Sequence, residues 1–147
     1  MTMTKIFLLL FTLSLSLPRF AWADPDKGVY ELQERCGRRA TEWFKAEYGN
    51  GVTNSKEGQT LSNFRNHYNA RLNKCFVLLM STSISHKRTA TGQIASTTIE
   101  TLFDLNDNNE YGSFAQVQSQ VMSCYVQDKQ CSTKDEWQTL INPYLNQ

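Results

Sequence analysis

The side chains able to do chemistry in this chain are few. His67 and His86 are its only histidines, and its carboxylates are sparse over the apolar segments. A hydrolase needs a nucleophile activated by a base held in fixed geometry beside it. His86 stands in the polar, basic stretch Ser85 to Gly92, a poor place to hold geometry. His67 stands beside Tyr68 and Asn69, where a histidine more often serves as a hydrogen-bonded structural residue. Glu100 and Asp104 fall two pleats apart on one face of a strand pattern, a separation that suits paired carboxylates acting on a glycoside and equally suits solvated strand charges. Gly-x-Ser-x-Gly, a Gly-rich phosphate loop and His-Glu-x-x-His are all missing from the sequence. No catalytic residue is assigned on this basis, and no cofactor is expected.

Metal chemistry is equally thin. The run Asp104-Leu105-Asn106-Asp107-Asn108-Asn109-Glu110 offers oxygens at alternate positions, as a calcium loop does. The helix–loop–helix calcium pattern, however, wants Gly at its sixth position and Glu at its twelfth, and Asn109 and Ala115 stand there. A polar turn is the simpler reading. Four cysteines, Cys36, Cys75, Cys124 and Cys131, include no Cys-x-x-Cys pair, which argues against both a zinc site and a catalytic dithiol. An even count behind an export signal argues instead for two disulfides. Cys124 and Cys131 flank a short polar stretch that can turn back on itself, so they are expected to pair, leaving Cys36 with Cys75.

The export signal is Met1 to Ala23: Lys5 gives a positive start, Ile6 to Leu17 is apolar but for Thr and Ser, and Ala21-Trp22-Ala23 has the small-x-small form of a cleavage site. The mature chain is then expected to run from Asp24 to Gln147 as a single domain without a membrane anchor, in the periplasm or secreted. Removing Lys5 and Arg19 lowers Lys plus Arg from 15 to 13 against 14 acidic residues, so the formal charge passes from +1 to −1. A balance so near zero gives no general pull toward nucleic acid.

The elements that must position these residues are organised around Cys75-Phe76-Val77-Leu78-Leu79-Met80, apolar on both faces when read as a strand. Such a strand needs cover on both sides. Val29, Leu32, Cys36, Ala40, Trp43, Phe44 and Tyr48 repeat at helical steps and form the apolar face of a first helix, with Gly49 placed to cap it. Arg35, Arg38 and Arg39 on its other side read as a solvated face balanced by Glu31 and Glu34. Asn50 to Thr60 reads as a loop, and Leu61 to Asn69 as a strand or a short helix. Ala95 to Leu105 alternates as a half-buried strand with Ser96, Thr98, Glu100 and Asp104 outward, and Tyr111 to Met122 as its return strand. Thr133-Lys134-Asp135-Glu136 is a capping box opening a last helix through Trp137, Ile141 and Leu145, which Pro143 should end near Asn142. The fold class is α+β: an N-terminal helix, an antiparallel meander of three to four strands, a C-terminal helix and two disulfides.

The runs Asn66-His67-Tyr68-Asn69, Asn73-Lys74-Cys75-Phe76, Asp104…Asn106…Asn108 and Tyr111-Gly112-Ser113-Phe114 resemble a pattern in small, exported bacterial proteins. That resemblance covers most of the mature chain and implies a bacterial source; no assigned activity comes with it. The functional expectation is an exported, non-enzymatic binding protein of the inhibitor, immunity-type or accessory kind, with a protein partner and with Phe64, His67, Tyr68 and Tyr111 as candidate binding residues. A small cell-envelope hydrolase and a structural or assembly subunit are the alternatives.

Overall fold

The computed structural model describes residues 25–88, 92 and 94–146; the expected signal segment 1–23 and Asp24 lie outside these. In chain order come helix α1 (Pro25–Tyr48), strands β1 (Val52–Asn54), β2 (Gly58–Asn69), β3 (Lys74–Arg88), β4 (Ile94–Asp104), β5 (Asn109–Val117), β6 (Gln120–Val126) and β7 (Lys129–Gln130), and helix α2 (Lys134–Leu145). The strands form one antiparallel sheet in sequence order, β1 to β7. Two helices and two disulfides match the sequence reading, but the sheet has seven strands among the described residues rather than three to four.

The extra strands have local causes. Asn50 to Thr60 reads as a loop because it is polar, yet Ser55 closes a tight turn inside it. Its Oγ accepts from Glu57 N (3.1 Å) and Gly58 N (3.2 Å), and its N–H donates to Gly58 O (2.9 Å), so β1 folds back onto β2. Ser85 to Arg88, read as a connector, continues β3; strand pairing is a backbone property and needs no apolar alternation where the outer part of a sheet meets water. The return strand Tyr111 to Met122 is two strands, broken where Gln118 takes φ +54°. Glutamine carries no turn preference, so nothing in the residue types marked the break.

The helices also differ at their ends. α1 begins at Pro25 rather than Val29, since a missing N–H is harmless in a first helical turn. Gly49 (φ +60°) caps it with an N–H bond to Lys45 O (3.1 Å). α2 opens as the capping box requires: Thr133 Oγ1 accepts from Glu136 N (3.2 Å), and the Glu136 carboxylate accepts from Ser132 N (2.7 Å). It runs past Asn142 and through Pro143 to Leu145. The Pro143 carbonyl accepts from the fully buried Asn69 Nδ2 (2.8 Å), which fixes that last turn to the β2–β3 corner.

The core has two layers, one on each side of β3. On one side Cys36 and Ala40 of α1 meet Cys75, Val77, Phe103 and Tyr68, joined by the Cys36–Cys75 disulfide. On the other side Trp137, Ile141 and Leu145 of α2 meet Phe76, Leu78, Leu102, Phe114 and Val126, with Cys124–Cys131 closing the β6–β7 corner. Loop-closure entropy makes the first cross-link, spanning 39 positions, worth roughly 4 kcal/mol and the second, spanning 7, roughly 2.5 kcal/mol. Gly112 is demanded by this packing, because a Cβ there would lie 2.5 Å from Tyr125 O.

The double layer overturns the expected division of β4. Its supposed outer residues Glu100 and Asp104 are buried, while Ile99, on the supposed inner face, is 45% exposed. α1 covers β2 and β3 and reaches β4 at Phe103 through Ala40 and Trp43, so the inner face of β4 beyond Phe103 meets solvent at Ile99. A stability difference follows. Phe76→Ala is expected to cost about 3–5 kcal/mol in urea unfolding, and Ile99→Ala under about 1 kcal/mol; comparable losses would contradict the two-layer core.

Candidate functional site

The register decides which sequence-predicted residues meet. Phe64 and Tyr68 lie opposite Leu79 and Cys75, under α1, whereas His67 lies opposite Phe76, on the α2 side. Phe64 packs against Phe44 (ring centroids 4.8 Å), and the Tyr68 hydroxyl donates to Asn73 Oδ1 (2.6 Å). Tyr111 packs edge-on to Phe76 (4.9 Å) and Tyr144 (5.6 Å). The four candidates are thus divided between the two faces of the sheet and do not converge on one cleft.

The carboxylates with catalytic promise are held by architecture. Glu100 accepts from Trp137 Nε1 (2.7 Å) through one oxygen and pairs with the Lys134 ammonium through the other, tying the start of α2 to β4. Lys134 also lies over the Phe114 ring, 4.7 Å from its centroid. Asp104, fully buried, pairs with the Lys74 ammonium, which also bonds Asp107 (2.6 Å). Asp104 Oδ1 accepts from Asn106 N (3.0 Å), closing the Asn-rich turn. A lysine ammonium therefore sits between the two carboxylates of the turn. No group of three or more His, Cys, Asp or Glu able to hold a metal occurs among the described residues. Hydrogen bonds to Asp104 and then Asp107 raise the Lys74 pKa well above its ordinary value of 10.5. The Lys74 contact in turn lowers the Asp107 carboxyl below 3.8.

The open concave surface lies along the flank of α1. On its other side the helix faces the Asn-rich turn across a cleft of about 560 Å³. Trp43 floors it, edge-on to Phe103 (4.7 Å) and Tyr48 (5.6 Å). Arg39, Glu42 and Glu47 form the helix wall, and Leu105 and Asn108 of the turn form the other. Arg39 Nη1 donates to Asn106 Oδ1 (2.5 Å), a bridge from helix to turn. On one side of the bridge a second cavity of about 210 Å³ reaches down to Cys36 and Cys75. On the far side, beyond Trp43 and Tyr48, a third of about 300 Å³ runs along Leu79, Thr101 and Phe103 to Glu110. Burial, and then Glu47, raises the Tyr48 pKa above 10.0, so its phenol stays protonated at neutral pH.

This groove holds aromatic surface, rim charges and amides, with neither His67 nor a buried carboxylate on its walls. It can stack, hydrogen-bond and ion-pair. Sequence reasoning placed Trp43 and Tyr48 on the core face and Arg39 on a solvated face. The missing signal was the i, i+4 stripe Arg35–Arg39–Trp43 at the seam of those two faces. Comparison of the chain with protein-family models, with curated proteins and with solved structures finds no match.

The lysine-centred cluster yields a pH prediction. A lowered carboxyl contributes stability above about pH 4 that is lost as pH falls through its folded value, and a raised ammonium contributes stability lost only as pH rises above about 10.5. The cluster's contribution is therefore flat from about pH 5 to pH 9. Lys74→Met leaves Asp104 buried without a counter-charge, which should cost roughly 3 kcal/mol at neutral pH. Adding Asp104→Asn should recover most of that loss. A urea midpoint unchanged by Lys74→Met, or a double variant no more stable than the single one, would contradict this role.

Proposed function

We propose that the protein is an exported, non-enzymatic binding protein of the inhibitor, immunity-type or accessory kind, acting in the periplasm or outside the cell, and that it engages a protein partner through the groove along α1. One observation carries this reading: the concave surface is floored by Trp43 and Tyr48, continues over Phe103 and is rimmed by Arg39, Glu42 and Glu47, the aromatic centre and charged border typical of binding surfaces. The groove continues past Thr101 onto the uncovered face of the sheet, where Ile99 and Val117 are exposed. A partner therefore has apolar surface to bury beyond the groove itself.

Export fits the four cysteines, all of them paired, since such cross-links persist in oxidising compartments. No described helix is long and apolar enough to cross a membrane. The hydrolase alternative draws little from the site, because Glu100 and Asp104 are each engaged by a lysine. An assembly role would need another subunit to cover β3, and α2 occupies that face.

Site-specific photo-cross-linking tests the reading. A benzophenone side chain at Asn108, on the groove wall, is expected to capture one partner in near-stoichiometric yield in cells that make the protein. The same group at Thr139, exposed on the outer side of α2, is expected to capture none. Equal capture from both positions, or none from Asn108, would overturn it.

A further inference from the structure

The smaller cavity beside the Arg39 bridge has an unusual polar balance. Its charged liners are Arg35 and Arg39, and no carboxylate shares its wall. The remaining polar liners are Tyr68, Asn73 and Asn106, and each has its hydrogen-bond role fixed by a neighbour. Tyr68 donates its hydroxyl proton to Asn73 Oδ1 (2.6 Å), and Arg39 donates to Asn106 Oδ1 (2.5 Å). Both amide oxygens are thereby occupied, and both amide NH2 groups are left as donors. Arg35 makes no ion pair or hydrogen bond among the described residues, even with Glu31 one turn earlier, while its neighbour Arg38 pairs with Glu34 (2.5 Å). The nearby carboxylates Asp104 and Asp107 are held by Lys74. The cavity thus offers two guanidinium groups and two amides as donors. Its floor is apolar, made of Leu32 and the Cys36–Cys75 bridge.

Two guanidinium groups and two amide donors, with both amide oxygens already engaged, call for a ligand that brings acceptors and negative charge. The size, about 210 Å³, admits a small group and excludes a folded element. We propose that this cavity is a carboxylate-binding subsite of the α1 groove, in which Arg35 and Arg39 grip a carboxylate of the partner while its aliphatic stem rests on Leu32 and the disulfide. This deepens the reading of the groove as a partner surface and rests on it. Planar guanidinium groups match carboxylate geometry and form charge-assisted bonds, stronger than neutral ones. The disulfide acquires a second role here, because it holds Arg35 and Arg39 of the helix against the turn that carries Asn106.

The test is an NMR titration of the mature protein with three small probes. N-acetylglutamate α-amide carries only a side-chain carboxylate, N-acetylglutamine only a terminal one, and N-acetylglutamine amide neither. Saturable shifts of the Asn73 and Asn106 side-chain amides and of the Arg35 and Arg39 Nε signals are expected with at least one of the first two, and which one identifies the source of the carboxylate. Arg35→Gln and Arg39→Gln should each weaken that binding by about tenfold, whereas Arg38→Gln should leave it unchanged. Failure to saturate with either acid, equal shifts with the neutral probe, or saturation by inorganic phosphate but by neither acid would overturn the proposal. The two readings fail separately. Capture from Asn108 that survives Arg35→Gln and Arg39→Gln would leave the groove in place and remove this subsite. Saturation by an acid without any capture would keep the carboxylate site and remove the partner.

Discussion

A strand apolar on both faces must be covered twice, and most of this structure follows from that requirement. Cys75, Phe76, Val77 and Leu78 are each at most 3% exposed, and their side chains alternate between a layer under α1 and a layer under α2. Burying one such side chain contributes about 1.5–3 kcal/mol, so a consecutive run of them outweighs any single polar contact in the molecule. Each helix is then fixed by specific polar or covalent contacts. Cys36–Cys75 holds α1, with help from the Tyr68 N–H, which donates to Gln33 Oε1 (2.6 Å). Glu100, bonded to Trp137 and Lys134, holds the start of α2, and Asn69 holds its end.

The same requirement decides where a partner can bind. α2 lies over the sheet around Phe114 and Val126, so the α2 side of the core is closed there. α1 covers β2 and β3, reaches β4 at Phe103 and leaves Ile99 and Val117 on its side exposed, which creates a seam between a helix and a bare sheet. That seam is the groove. The two buried carboxylates, the residues with most apparent catalytic promise, serve this architecture. An ion pair of this kind is weak evidence of stability by itself, since desolvation offsets most of the attraction. Its directional bonds instead fix where α2 and the Asn-rich turn sit.

The parts of the fold that hydrophobic pattern controls were legible in the sequence. The doubly apolar run, the apolar stripe of α1, the capping box of α2 and both disulfide pairings are all present in the structure. Polar edges were not legible. β1, the outer half of β3 and the division of β5 from β6 depend on backbone pairing and on turns through Ser55 and Gln118, which no hydrophobic pattern marks. Burial of Glu100 and Asp104 was hidden for a different reason. Alternation along one strand assigns a residue to a face, but only the placement of α2 and of Lys74 decides whether that face is wet. The groove was illegible on the same ground, because Arg39 and Trp43 become neighbours of Asn106 and Phe103 only once the sheet has formed.

Native-state amide hydrogen exchange tests the doubly covered strand most directly. β6 between Gln120 and Ser123 has a neighbour on one side only, as β7 pairs with Tyr125 and Val126 alone. The protected amides of Phe76, Val77 and Leu78 should exchange only through global unfolding, with the same free energy that urea denaturation reports. Those of Gln120 to Ser123 should exchange through local opening at lower cost. If β6 outlasts β3, or if the β3 amides exchange well before the molecule unfolds, then the strand is not the element that holds the two helices and the groove in place.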